Sequence, residues 1–258
     1  KSKKYNIKSY SMNKIYEDTS IDLIINLTPP SVHYEICLKA LKSGKNIYVE
    51  KPLTVNKEEG KEILELAKKR DLFVGAAPDT FLGAGGQTCR KLIDDGWIGD
   101  IIGATAFMMN HGPESWHPAP DFFYEIGGGP MFDMGPYYLT SLINLIGPVR
   151  KVSGFTSKSF DKRVITNNKN YGEKVNVEIP THINGNLEFE NGAIGTIITS
   201  FDVWHTKTPK IEIYGTEGTL IVPDPNIFGG EIYIYKPSYS EWKEVPLSHG
   251  FKKNSRGI

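Results

Sequence analysis

The first half of the chain alternates short apolar runs with stretches of helical period. Asp22 to Thr28, DLIINLT, is an apolar run stopped by Pro29-Pro30, which predicts a buried strand. Ser31 can cap the stretch SVHYEICLKALKSG. Its Val32, Ile36, Leu38, Ala40 and Leu41 fit a helix, and Gly44 suits the position just past its end. Asn46 to Glu50 predicts a second strand. Asn56 can cap KEEGKEILELAKKR, with Ile63, Leu64 and Ala67 as the apolar stripe, and Leu72 to Pro78 is a third strand. Strand, helix, strand, helix, strand at this spacing predicts right-handed βαβ units and a parallel sheet.

The second half changes period. Gln87 to Gly99 predicts a helix ending at Gly96, and Ile101 to Asn110 a strand. A loop follows, HGPESWHPAPDFFYEIGGG, from His111 to Gly129. Pro130 to Gly147 predicts one further helix, which Pro136 would bend or leave with one backbone carbonyl unpaired. Beyond Gly147 the pattern is all strand. Asn191-Gly192 between alternating runs is a hairpin signal, and Gly215 to Gly218 marks a second hairpin. GGEIYIYK and EWKEVPL continue the series. The expected fold is α/β plus α+β: a partial Rossmann parallel sheet over residues 1–100, then a large, mostly antiparallel open-sheet domain over 101–258. One sheet face, with Ile211, Ile213, Tyr233 and Tyr235 read as outward, is expected to pair with a second copy in a homodimer or homotetramer.

Composition narrows the function. The 258 residues carry 30 Lys plus Arg and 30 Asp plus Glu, so the basic excess of a nucleic-acid binder is missing. No apolar run reaches the roughly 18 residues of a membrane span, so no membrane partner is expected. Two cysteines are too few for a disulfide framework or a cysteine zinc site. A reducing cytoplasm is the default location.

Several residues can carry chemistry. Glu50-Lys51-Pro52 lies at the C-terminal end of the second parallel strand, where open α/β sheets bind ligands. A lysine held there by a rigid proline can exchange a proton; otherwise it is a surface lysine. Asn26, Thr28, Pro29 and His33 sit at the end of the first strand and the start of a helix, whose amides suit a phosphate or ribose. His33 alone reads more simply as a helix-surface histidine. Asp133 and Tyr137 are four apart on a predicted helix and so share a face, with Tyr138 turned away to pack; taken alone the pair reads more simply as a solvated Asp and a core Tyr. Trp116 and His117 can line a sugar pocket, an indole face against the ring and an imidazole against hydroxyls. The same loop can instead pack on its own aromatics, Trp116, Phe122, Phe123 and Tyr124. His111, Glu114 and His117 have HxxExxH spacing, but no helix or strand fixes them, so no metal is assigned.

NLTPPSVH, VEKPLT, GGGPMFDMGPYYL and IEIYGTEGTLIV, in this order and spacing, resemble the glucose–fructose oxidoreductase/inositol dehydrogenase/MocA family. The resemblance covers nearly the whole chain. It implies a Rossmann domain followed by a sheet domain that builds the substrate site and the oligomer contact. It further implies NAD or NADP as cofactor and hydride exchange with a carbinol carbon of a sugar, cyclitol or related polyol. Lys51 matches the motif lysine that contacts substrate and cofactor, and Asp133 matches the helix aspartate. Many members carry histidine where this chain has Tyr137, and the glucose–fructose oxidoreductase and dihydrodiol dehydrogenase branches carry tyrosine. Lys51 and Tyr137 are expected to share the proton transfer, with Asp133 orienting a hydroxyl. Asn26, Thr28, Pro29, His33, Glu50, Lys51 and Pro52 are the expected cofactor contacts.

The family's Gly-rich turn is expected some 60 residues before NLTPP, ahead of Lys1, and Gly83-Ala84-Gly85-Gly86 does not replace it. Both ends thus read as cut. Asn6 to Tyr10 reads as a short polar strand at one end, and GFKKNSRGI trails off at the other. The chain is therefore expected to be an inactive fragment that binds NAD(P) weakly. Two rival readings are a redox-assisted glycoside hydrolase of the same family and a non-catalytic sugar or dinucleotide sensor.

Overall fold

The computed structural model describes residues 2–167 and 169–248. The chain forms two compact units, Lys1–Ala77 and Pro78–Ile258. The tail GFKKNSRGI lies outside the described residues.

The first unit opens with two short helices, α1 (Ser2–Tyr5) and α2 (Met12–Glu17), and Asn6 to Tyr10 between them forms no strand. Then β1 (Leu23–Asn26), α3 (His33–Lys42), β2 (Asn46–Val49), α4 (Lys57–Arg70) and β3 (Val74–Ala76) alternate as the apolar pattern requires. The sheet order is β1-β2-β3, parallel throughout. Asn56 caps α4 by accepting the Glu59 amide at 2.9 Å. Ser31 does not cap α3: it lies in a 3-10 turn over Pro30–Val32. Prolines 29 and 30 cannot donate an amide hydrogen, and the turn absorbs them before the α-helix begins. Ile24, Cys37, Ala40, Leu41, Ile47, Val49, Ile63 and Ala67 form the core. Leu64, expected in that stripe, is exposed, because Ile63 and Ala67 already face the sheet one turn apart. β1 is buried on one side only; Leu23 and Ile25 point outward.

The second unit contains α5 (Ala84–Asp94), β4 (Ile101–Met109), α6 (Gly129–Asp133) and α7 (Gly135–Ile146). Strands β5 (Val149–Ser157), β6 (Lys162–Val164), β7 (Lys174–Asn176), β8 (His182–Phe189) and β9 (Ile194–Ser200) follow. The chain continues through β10 (Ile211–Gly215), β11 (Thr219–Val222), β12 (Ile232–Tyr235) and β13 (Lys243–Val245). Eight strands form one sheet in the order β13-β12-β11-β10-β4-β9-β8-β5, and β6 and β7 pair separately. Every neighbouring pair is antiparallel except β4 with β9. The Asn191-Gly192 turn joins β8 to β9, with Gly192 at φ +89°. Tyr138, Leu142 and Leu145 of α7 and Cys89 and Leu92 of α5 belong to the core cluster that covers one sheet face.

Two expectations are corrected here. The single helix over 130–147 is two, divided at Met134 just before Pro136, whose ring opposes continuation and whose nitrogen has no hydrogen. Ile211 and Ile213 are fully buried, not outward. The pleat that buries them turns Glu212 and Tyr214 to the other face, where Phe107, Ile198, Ile221 and Tyr233 are half-buried.

The glycines at the start of α5 have a packing cause. A Cβ on Gly83 or Gly85 would run into the backbone of Phe228 or Gly229, and the Gly85 amide donates to Phe228 O at 2.9 Å. That helix start is taken up by the chain's own carbonyl. No helix among the described residues is long and apolar enough to cross a membrane.

Candidate active site

In the first unit the two motif turns are tied together. Asn26 is 3% exposed at the end of β1. Its Oδ1 accepts the Thr28 hydroxyl at 2.6 Å and the Thr28 amide at 3.2 Å, and its Nδ2 donates to His33 O at 3.4 Å. His33 is not a surface residue. It is fully buried, with Nδ1 2.7 Å from Pro52 O and Nε2 2.7 Å from Thr28 O. A neutral imidazole donates to one of these carbonyls and an imidazolium to both. His33 thus bridges the turn after β1 to the turn after β2. Beyond β2 the Lys51 amide donates to Glu50 Oε2 at 3.0 Å, and the Lys51–Pro52 peptide is cis.

The outcome for the expected cofactor contacts divides by burial. Asn26, His33 and Pro52 are buried and shape the turns. Thr28, Pro29, Glu50 and Lys51 retain surface at the C-terminal ends of adjacent parallel strands. That edge is where open α/β sheets take their ligands, and its turn backbone and lysine suit a dinucleotide.

In the second unit Asp133 ends α6 and Tyr137 stands in the first turn of α7, both half-buried. The Tyr137 amide donates to Met134 O at 3.1 Å, which carries the chain across the break. Gly127 and Gly129 adopt φ +90° and +83°, the left-handed region that lets the loop turn tightly into α6. Tyr138 is 1% exposed and packs, as its direction predicts. Burial raises its hydroxyl pKa, with a smaller contribution from Asp224.

The loop after β4 is held by a buried ion cluster. Arg163 of β6 donates through Nε to Glu114, through Nη1 to Asp202 Oδ1 at 3.0 Å, and through Nη2 to the carbonyls of His111 and Phe201. The three charged side chains are 4%, 7% and 8% exposed. Thr181 donates to the other Asp202 oxygen at 2.7 Å. Gly112 lies beside this cluster at φ +89°, where a Cβ would strike Glu114, Tyr124 and Arg163. The amides of Thr166 and Asn167 donate to Glu114 O, and Asn167 Nδ2 donates to His117 O at 2.7 Å. Burial and the Glu114 charge raise the Tyr124 phenol pKa.

Around this cluster opens a cleft of about 570 Å³, whose walls include His111, Trp116, Phe160 and Trp204. His111 stacks on Trp204 with ring centroids 3.5 Å apart. Burial, then the Arg163 charge, lowers the His111 pKa. Trp116 lines the cleft as expected of a pocket residue. His117 is not among its walls; its Nδ1 accepts the Ala119 amide, and its ring packs on Phe122 and Phe123. The loop therefore divides, with Phe123 and Tyr124 in the core and Trp116 at the surface. The HxxExxH residues do not converge, because Arg163 takes Glu114, and among the described residues no three metal-ligating side chains gather. Arg163, Asp202 and Trp204 were not singled out by sequence reasoning. They come from separate segments with no shared spacing; only an exposed tryptophan in the polar run FDVWHT gave a hint.

A three-stranded parallel unit followed by a large mixed sheet defines a two-part architecture with its motif residues at strand ends and helix starts. The profile described as the GFO/IDH/MocA C-terminal domain matches residues 87–221. The profile described as an oxidoreductase family with an NAD-binding Rossmann fold matches residues 2–77. The chain belongs to the Gfo/Idh/MocA family. It is 25% identical to the D-xylose dehydrogenase of Paenarthrobacter nicotinovorans, over 95% of this chain and 69% of that one. It is 29% identical to the scyllo-inositol 2-dehydrogenase (NAD(+)) of Bacillus subtilis, over 81% of this chain and 57% of that one. Other curated relatives are matched over as little as 39% of their length, so the chain spans about two-fifths to two-thirds of such proteins. An NAD binding oxidoreductase from Klebsiella pneumoniae superposes with TM-score 0.80 at 21% identity, covering 100% of this chain and 72% of that one. Levoglucosan dehydrogenase in complex with NADH and L-sorbose gives 0.78 at 21%, covering 95% and 66%. At such identities these two structures establish the fold.

Proposed function

We propose that the protein is an NAD(P)-dependent oxidoreductase that moves a hydride between nicotinamide and a carbinol carbon of a sugar or related polyol. The family membership of both units, with Lys51, Asp133 and Tyr137 at their motif positions, carries this reading. Relatives named as xylose and inositol dehydrogenases support the substrate class. Thr28, Pro29, Glu50 and Lys51 would hold the dinucleotide, which would supply the hydride acceptor or donor. His33 and Asn26 support them by fixing the two turns.

The chain's own part in the chemistry is a proton transfer. Oxidising a hydroxyl requires its proton to leave with the hydride. Lys51 and Tyr137 share that transfer, and Asp133 orients a neighbouring hydroxyl. In the protein with its cofactor, Tyr137→Phe keeps the ring and removes the phenol hydroxyl. Its turnover should fall about 10²–10⁴-fold with little change in NADH affinity, since this is the usual worth of a general acid–base group. Lys51→Ala should cost at least as much. Parental turnover in Tyr137→Phe on the best sugar substrate would make Tyr137 a packing residue.

We further propose that the half-buried sheet face around Phe107, Ile198, Ile221 and Tyr233 pairs with a second copy. A dimer or tetramer by light scattering at micromolar concentration is the expected result, and a strict monomer would refute it.

A further inference from the structure

Asp133 and Tyr137 are not among the walls of the cleft beside Arg163. The cleft is therefore separate from the positions assigned above to the reacting carbon. The walls show what it suits. Trp204 is 80% exposed although one face of its indole is stacked on His111, so the other face is open to a ligand. Trp116 is 65% exposed and Phe160 44% exposed on the same cleft. Flat apolar faces of this kind recognise rings, either the apolar side of a pyranose or an arene.

Polar groups are few and placed to read hydroxyls. Asn110 accepts the Gly112 amide through Oδ1, which leaves its NH₂ only the Met108 sulfur at 3.7 Å. Ser115 is exposed, and Lys162 completes the polar wall. Arg163 is held by Glu114 and Asp202, and with Lys162 the two positive charges balance the two negative ones. A mostly apolar cleft with a few hydroxyl-reading groups and no net charge suits a neutral polyhydroxylated ring better than an anion. Size points the same way. At about 570 Å³ the cleft falls in the range that takes ligands of drug size, with room for more than one small ring.

We propose that this cleft is a subsite for the second ring of a glycoside, so that the substrate is a sugar carrying another sugar or an aryl group rather than a free monosaccharide. Naming the ligand a sugar rests on the oxidoreductase reading above. The second ring stacks on the open face of Trp204 with Trp116 beside it, and the ring to be oxidised lies outside the cleft.

The probes are D-glucose, D-xylose and D-galactose, each as the free sugar and as its phenyl β-glycoside, together with cellobiose and xylobiose. Binding is read by tryptophan fluorescence on the full chain without cofactor, and kcat/KM with cofactor where turnover occurs. At least one ring-bearing ligand should bind about tenfold or more tighter than its free sugar, the factor that one good stacking contact provides. Cellobiose against phenyl glucoside distinguishes a sugar from an arene as the second ring. Trp204→Ala and Trp116→Ala should each erase most of that preference, whereas Trp242→Ala, outside the cleft, should leave it. Circular dichroism confirms that the variants fold. Equal affinity for free sugars and glycosides overturns the proposal, as does a preference that survives Trp204→Ala or the absence of binding by every probe. Trp204-dependent binding without turnover keeps the subsite and rejects the oxidoreductase reading. Turnover with no glycoside preference does the reverse.

Discussion

The two units differ in how far along the chain their decisive polar contacts reach. In the first unit, Asn26, Thr28 and His33 answer one another within a single turn, and one longer bond carries His33 to Pro52. The helices that cover its sheet start and stop on local signals such as the Asn56 cap. In the second unit the central polar cluster takes Glu114 from a loop, Arg163 from β6 and Asp202 from beyond β9. A buried cation with two buried carboxylates is a demanding arrangement. Desolvation offsets much of the attraction, so it gains little over an apolar core, yet loss of one member leaves a stranded charge. The first unit should therefore respond to single changes in small steps. The second should have one position where a single change is severe.

Arg163→Met is the sharpest way to break that contrast. It strands Glu114 and Asp202 and should cost about 3–5 kcal/mol, the range for removing one partner of a buried pair. At about 2–4 °C per kcal/mol, thermal unfolding followed by circular dichroism should move down by about 10 °C. A shift of only a degree or two would show that the cluster is not the keystone described. His33→Ala comes next. It leaves the carbonyls of Thr28 and Pro52 unpaired and opens a cavity, at about 2–4 kcal/mol. Because Pro52 follows Lys51, kcat should drop further than KM rises, and His33→Gln, which restores one donor, should recover part of it. An unaltered kcat would make His33 structural only.

Asn56→Ala probes the local side of the comparison. Losing the α4 cap should cost about 1 kcal/mol in urea unfolding. A cost equal to that of Arg163→Met would erase the distinction between the units. The smallest effect concerns pH. His111 is held below its ordinary pKa by burial and by Arg163, so the folded state disfavours its protonation. Its neutral form is the one the fold accommodates. The stability linked to it is present above the unfolded pKa near 6.5 and is lost as pH falls through the lower folded value. The unfolding midpoint should decline between about pH 7 and pH 5, and His111→Gln should flatten part of that decline. An identical slope in the variant would show that other groups set it.

The contrast also marks what the sequence could reveal. Periodicity located the three parallel strands and the two helices between them in the first unit, and both predicted hairpins of the second, because each answers to a short window of residues; the two short helices before β1 gave no such pattern. Lys51 and the Asp133–Tyr137 pair were legible as motif positions. The split of their helix at Met134 was half legible, since Pro136 marked the place but was read as a disturbance within one helix. His33 was misread because a lone histidine on a helix gives no sign that two carbonyls close over it. The Glu114–Arg163–Asp202 cluster was illegible, as its members share no window. Ile211 and Ile213 were assigned to the wrong face because the register against β4, which a single strand does not contain, decides which side of the pleat is covered.

The position of β4 sets the order of events when the protein first folds. It lies between β10 and β9, joining two antiparallel sets of strands, and its own pairings run from Gly103 to Ile194 and from Ala106 to Ile211. Both partners are made roughly ninety residues or more after β4 itself, so the chain must close long loops before its central strand gains a neighbour. During synthesis β4 waits with its apolar side uncovered, and unpaired strands of that kind are prone to associate with other chains. The three strands of the first unit, which pair with near neighbours in sequence, are all made before β4. Placing an early strand at the centre of a late sheet makes the second unit's central pairings the long-range ones of the molecule.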